Sequence, residues 1–282
     1  MALKFYKPVT PGRRGMSGIN YRAALSGDKP LKALTKGTRS FGGRSSNGRV
    51  AVRHQGGGHK KSYRDIDFKL DKKDIPARIA TIEYDPFRSA FIGVAVYADG
   101  EKRYVIVPKG VKVGDTFLVS ENAPVKTGNR LPLGKLPVGT FVYNVEVLPN
   151  QGGIIARSAG NFAEVVAHDA GYTHLKMPST EIRRFIETAW ASVGEVSNDE
   201  HKLVNYGKAG RTRWKGVKPT VRGTAMNPVD HPHGGGEGRQ GRGRRRAISM
   251  WGKPTGKGQK SRSPRKPSKV FILARRKVGK RK

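Results

Sequence analysis

Charge is distributed very unevenly along this chain, and that distribution limits what can fold. Residues 1–60 carry 13 basic residues and 1 acidic residue, residues 61–206 carry 19 and 18, and residues 207–282 carry 24 and 2. The formal net charge of +35 therefore sits almost wholly in two flanking segments. Segments with such an excess repel themselves and attract polyanions. Only the near-neutral middle can close around a core, and its length suits one mid-sized domain or two small barrels.

The simplest reading of a charge run is a solvated tail. The flanks here also hold embedded aromatics and ordered turn chemistry, which favours a polyanionic partner met at many points. Nucleic acid fits, because each neutralised phosphate releases counterions and affinity accumulates along an arm. A membrane surface does not fit, since neither flank sustains an amphipathic helix. There is no cysteine, which excludes disulfides and thiolate zinc sites. The longest apolar stretch, near Phe91–Ala98, is too short to span a bilayer. Met1–Pro8 has no signal-peptide apolar region. Residues 1–60 are acid-poor as transit peptides are, but Gly and Pro interrupt the amphipathic helix that such peptides form.

Residues 1–60 lack lasting periodicity and read as a basic extension. It closes on Arg53–Lys61, where Gly56, Gly57 and Gly58 lie between His54 and His59. Glycines there either let backbone N–H groups cradle an anion or act as a hinge. A first β unit, residues 61–125, is predicted from strands at Arg78–Tyr84, Phe91–Tyr97, Lys102–Val107 and Val113–Val119. Asp99-Gly100 between two apolar runs is a strong hairpin signal. The spacing suggests a Greek-key or OB-like barrel. A second unit, residues 126–206, follows the Gly/Pro-rich connector Thr127–Gly139. Its first strand, Phe141–Val147, alternates so that Phe141, Tyr143, Val145 and Val147 share one face while Asn144 and Glu146 take the other. Short strands at Ile154–Arg157, Phe162–His168, Tyr172–Lys176, Glu181–Phe185 and Ala189–Val196 complete an SH3-like barrel. Residues 207–282 form the second basic extension. The expected fold is thus mainly β, an OB-like barrel followed by an SH3-like barrel between long irregular arms.

Within the arms, Arg offers phosphate a planar fork and Lys a mobile point charge. Arg53, Lys60, Arg211, Arg213, Arg222 and Arg239 are such candidates. Trp214, Trp251 and Tyr63 lie among the cations, where a ring either stacks on an unpaired base or packs a small satellite core. Arg88 and Arg157 occupy strand connections in the body, as recognition residues or as solvated loop cations. Asp230, His231, His233 and Glu237 invite a metal or acid–base reading. His231 and His233 are only two apart around Pro232, lack the i,i+4 spacing of the zinc-protease motif and have no thiolate nearby. No nucleophile–base–orienter set accompanies them. Neutral imidazoles hydrogen-bonding phosphate, ribose or a base edge is the favoured reading, extended to His54 and His59.

Several stretches resemble one family throughout: Val52–Lys60, Ala80–Pro86, Gly100–Tyr104, Ala156–Gly160, Gly194–Val196 and above all Val221–Arg239, with Asn-Pro-Val-Asp-His-Pro-His-Gly-Gly-Gly-Glu-Gly at its centre. That family is the bacterial-type large-ribosomal-subunit protein numbered two. The resemblance implies OB-like and SH3-like barrels whose extensions are buried in large-subunit, 23S-type rRNA. It also implies primary rRNA binding, support of subunit association, tRNA binding and the peptidyl transferase centre, and a place in the cytoplasmic, bacterial-type ribosome. Small-subunit rRNA at an intersubunit bridge and other ribosomal proteins become expected partners, with no membrane and no cofactor beyond Mg2+ carried by the rRNA. Arg88 and Arg157 fall on positions the family uses for rRNA binding. His231 falls in the motif once linked to peptide-bond formation, so direct general acid/base participation is the alternative. The implied reading is that RNA supplies the catalysis, with no catalytic or metal-binding residue in the protein. One departure is Ser249-Met250 before Trp251-Gly252, where the family commonly carries Thr-Pro.

Overall fold

A computed structural model of the chain describes residues 3–27, 29–256 and 262–276. Contacts divide the protein into two compact units. One comprises Met1–Arg39, Lys60–Lys208 and Val270–Lys282; the other comprises Ser40–His59 and Ala209–Lys269. Both extensions are therefore shared between the units. Of the expected tail, residues 257–261 and 277–282 lie outside the described residues.

The larger unit holds both barrels. The OB-like one is a four-stranded antiparallel sheet in the order Lys102–Ile106, Ile92–Tyr97, Ala77–Glu83, Thr116–Phe117. A bulge between Ile79 and Thr81 bends the long strand, which adds the local twist a closing sheet needs. The Asp99-Gly100 hairpin forms as the sequence predicts: Gly100 has φ +86 and Tyr97 N–H donates to the Glu101 carbonyl at 3.0 Å. The strand expected at Val113–Val119 shortens to Thr116–Phe117. Gly114 adopts φ +97, and the Asp115 carboxylate accepts the Lys112 N–H at 2.8 Å, which holds these residues in a turn.

The SH3-like barrel is built on a seven-stranded antiparallel sheet. Its order runs Ile272–Ala274, Ile182–Ile186, Tyr172–Lys176, Ala163–Asp169, Phe141–Tyr143, Trp190–Val193, Arg130–Pro132. Its outermost strand thus comes from the basic tail. The strand expected over Ala189–Val196 stops at Val193, where Gly194 turns at φ +116.

The alternation expected over Phe141–Val147 is corrected. Asn144 sits in the left-handed region at φ 48 and breaks the run into Phe141–Tyr143 and Val145–Glu146. Asn144 and Glu146 are buried, whereas Phe141 and Val147 are about two-fifths exposed. The break turns the Asn144 carbonyl and the Glu146 carboxylate toward Arg130. That guanidinium donates to them at 2.8 and 2.9 Å, with Arg130 and Glu146 both 1% exposed. The other Glu146 oxygen accepts from the N–H groups of Asn150 and Trp190. Burial lowers the Arg130 pKa while Glu146 opposes the shift, and a guanidinium starts high enough to stay charged.

Two apolar cores accompany the barrels. Ala77, Ile79, Ala95, Tyr97, Val105, Phe117 and Val119 fill the first, closed by Trp190 from the second barrel. Leu131, Leu133, Leu136, Val142, Val145, Val165, Leu175 and Phe185 fill the second. Trp190 and the backbone bridge Pro108–Val196 join the barrels into one body, which gives the loops between them a rigid base.

Candidate nucleic-acid interface

Arg88, a candidate contact of the body, sits on a turn pinned from below. Strand Ala77–Glu83 ends at Tyr84-Asp85-Pro86-Phe87-Arg88. Asp85 is fully buried; its carboxylate accepts the Phe87 N–H at 2.9 Å and the Arg88 Nε–H at 2.5 Å. Charge-assisted bonds of this kind offset the desolvation of a buried acid. The pin leaves Tyr84 and Phe87 nearly half exposed. Tyr63 meets Phe87 edge-on at 5.6 Å, and Lys61 Nζ lies 5.7 Å from the same ring. Tyr21 meets Tyr84 edge-on at 5.1 Å. Burial, then Tyr84 and Tyr206, push the Tyr21 phenol up to about 12, so it brings no negative charge to this face.

Arg157 reaches the same region from the second barrel. Strand Gly153–Ile155 is followed by Ala156 at φ 54, which turns the chain. The Arg157 guanidinium lies 4.3 Å from the Phe68 ring centroid and donates to the Gly153 carbonyl at 3.1 Å. The Arg88 guanidinium lies 5.4 Å from that ring. Half-burial, then the positive charge of Arg88, lower the Arg157 pKa. Among the described residues no carboxylate pairs with Arg157, while Arg88 has Asp85. A groove of about 610 Å³ runs past Phe68, Lys69, Lys102, Arg103, Ile154 and Arg157. Its acids are already engaged: Arg103 holds Asp67, Asp71 and Glu101, and the Arg103 hydrogen bond holds the Asp71 carboxyl below its ordinary range.

In the smaller unit the two arms pair with each other. Lys218 N–H donates to the His54 carbonyl at 2.9 Å, Gly56 N–H to the Gly216 carbonyl at 2.9 Å and His59 N–H to the Trp214 carbonyl at 3.0 Å. The His/Gly segment is thus seated on residues 214–218, against the hinge reading. His54 itself has φ 61, and at Gly58 (φ +87) a Cβ would meet Trp214 O and Gly216 N at 2.7 Å. His59 and Trp214 lie 6.4 Å apart, and the Arg53 guanidinium lies 5.5 Å from the Trp251 ring. Trp214 therefore has a packing contact and keeps about half its surface exposed. Arg53, Lys60, Arg213, Arg222 and Arg239 are exposed, and Arg211 is half-buried within a short helix, Ala209–Trp214.

His231 and His233 are engaged internally. His233 N–H donates to His231 Nδ1 at 3.0 Å, and Ile248 N–H donates to His233 Nε2 at 3.0 Å. A backbone N–H can only donate, so Nε2 of His233 is the unprotonated nitrogen. Burial first, then His231, Arg242 and Arg244, lower the His233 pKa. The His231 ring lies against Gly223, where a Cβ would meet it at about 2.5 Å. Among the described residues no three His, Asp or Glu side chains gather as metal ligands would, and no helix is long and apolar enough to cross a membrane.

Sequence reasoning picked out Arg88 and Arg157 but not Asp85 beneath one or Phe68 beneath both. The Asp-Pro-x-Arg spacing carried a signal for the first, since Asp caps a turn two residues on. Phe68 carried none.

Two β-barrels with exposed cation–aromatic loops, joined to strongly cationic arms, define an RNA-binding protein. Two family models match the chain: Ribosomal Proteins L2, RNA binding N-terminal domain, over residues 31–119, and Ribosomal Proteins L2, C-terminal domain, over residues 126–252. The chain belongs to the ribosomal protein L2 family. It is a structural, RNA-binding constituent of the large ribosomal subunit.

Proposed function

We propose that this protein is a primary binder of 23S-type rRNA that holds the RNA by its body and arms together. Arg157 carries this reading: it is half-buried, has no carboxylate partner among the described residues and is crowded by a second guanidinium over one ring. A phosphate beside it would relieve the like-charge repulsion and supply the missing counter-ion. Arg88, pinned through Nε, keeps its terminal amino groups for a second acceptor. Arg53, His54, His59, Lys60, Arg211, Arg213, Trp214, Arg222, His231, His233 and Arg239 extend the contact through the arms. On this reading the protein supports subunit association, tRNA binding and the peptidyl transferase centre of a bacterial-type cytoplasmic ribosome. Its further partners are small-subunit rRNA at a bridge and other ribosomal proteins.

The test is filter binding of the full chain to large-subunit rRNA across a salt series. Arg88→Ala with Arg157→Ala should weaken binding and lower the log–log salt slope by about 0.7–0.9 per lost phosphate contact. Unchanged affinity and slope would remove these two contacts from the proposal. General acid/base action by His231 is the alternative reading, and it would fall to Nε2, because Nδ1 already accepts the His233 N–H.

A further inference from the structure

The cations on the body face are interleaved with rings, and the rings differ in what covers them. Phe68 is taken, with Arg88 and Arg157 both lying over it. Phe87 is different. It is 45% exposed, its backbone is fixed by buried Asp85, its ring meets Tyr63 in a T-shaped contact at 5.6 Å, and a single cation, Lys61, lies over it at the longer distance of 5.7 Å. Exposing a large ring to water is unfavourable, and a solvated loop needs no buried acid to hold it in place.

We infer that Phe87, with Tyr63, is a stacking platform for an unpaired nucleotide. The body would then take a single-stranded or bulged rRNA segment instead of the side of a duplex. The inference rests on the reading of Arg157 and Arg88 as phosphate contacts and names the RNA conformation they meet. Its physical basis is simple. In an A-form duplex the base faces are occupied by their neighbours, so an aromatic side chain can engage only a base that has left the stack. Lys61, over the ring, and Arg88, the next residue along the chain, suit the phosphates flanking such a base. Neighbouring rings need not recognise base identity, because every base has a π-face.

The experiment uses the full chain and a twelve-nucleotide oligouridine carrying 5-iodouridine, either alone or annealed to oligoadenosine. Long-wave irradiation joins iodouridine to aromatic rings stacked on it, and the joined peptides are mapped by mass spectrometry. Crosslinks at Phe87 or Tyr63 should form about tenfold more with the single strand than with the duplex, because only an unpaired base can stack on the ring. Phe87→Leu should lower the Tyr63 crosslink by about the same factor, and Phe87→Trp should restore it. Equal yields from the two probes, or no crosslink at either ring, would overturn the platform. The phosphate reading is judged separately: Arg157→Ala should lower the yield with both probes, and its failure to do so would remove that contact even where stacking persists.

Discussion

The backbone N–H of Lys218 donates to the carbonyl of His54 at 2.9 Å, joining residues that lie on opposite sides of the barrels in sequence. Two cationic segments that repel each other in isolation are thereby held together by backbone pairing and by rings such as Trp214 and His59. Like charges brought close need a counter-ion, which on the proposed reading is the RNA backbone. The same pairing makes Gly58 the tightest point of the seat. Gly58→Ala adds left-handed strain to a 2.7 Å collision with the backbone of Trp214 and Gly216. Gly57→Ala adds strain alone, of about 1–3 kcal/mol, since nothing lies within 4 Å of its Cβ. Hydrogen exchange at the His59 and Lys218 amides should therefore speed up far more in the first variant than in the second.

Arg130 and Glu146 set a prediction for stability. Replacing Arg130 by Met strands a buried carboxylate, at a cost of about 3–5 kcal/mol. Adding Glu146→Gln removes the stranded charge while leaving an acceptor for the Asn150 and Trp190 N–H groups. The double variant should have a higher urea midpoint than Arg130→Met alone. Equal midpoints would mean that packing, and not charge, controls this site.

Asp85 distinguishes positioning from plain electrostatics. Removing a carboxylate near RNA should strengthen binding if summed charge alone mattered. Asp85→Ala instead releases the Phe87 N–H and Arg88 Nε, so affinity for large-subunit rRNA should fall, by about as much as in Arg88→Ala. Filter binding at fixed salt reads the sign directly.

His233 gives the smaller unit a pH dependence. Its folded pKa is lowered, so the unfolded chain binds more protons between that value and the ordinary value of about 6.5. Stability from this group is complete above about pH 6.5 and declines as the pH drops toward the lowered folded value. Protonation of Nε2 also removes the acceptor for Ile248 N–H. Protection of the Ile248 amide should fall on acidification, beyond the intrinsic pH effect on exchange, and His233→Gln should flatten that response.

Much of the body could be read from residue pattern alone. Strands such as Tyr172–Lys176, and the Asp99-Gly100 hairpin, depend on local β propensity and turn chemistry, which a sequence displays. The break at Asn144 did not show, because its left-handed backbone is stabilised by Arg130, brought in from another strand. The seating of His54–His59 on residues 214–218 was hidden for the same reason: it pairs segments that the barrels separate in sequence. Among the candidate interface residues, cations in loops were legible by type. The buried acid and the shared ring beneath them were not, since burial is a property of the assembled fold.

Strand Ile272–Ala274 closes the edge of the seven-stranded sheet against Ile182–Ile186. During synthesis that neighbour emerges 86 residues ahead of it, a delay of roughly 4–17 s at usual elongation rates. Throughout that interval the nascent barrel shows an unfinished border of free amides and carbonyls, the kind of border on which other chains can template. Arg183 and Arg184 stand on it, and Arg184 later rests over Phe271. Arg183 is already paired with Glu181, so the charge of Arg184 is the one that opposes edge-to-edge pairing of two half-made copies.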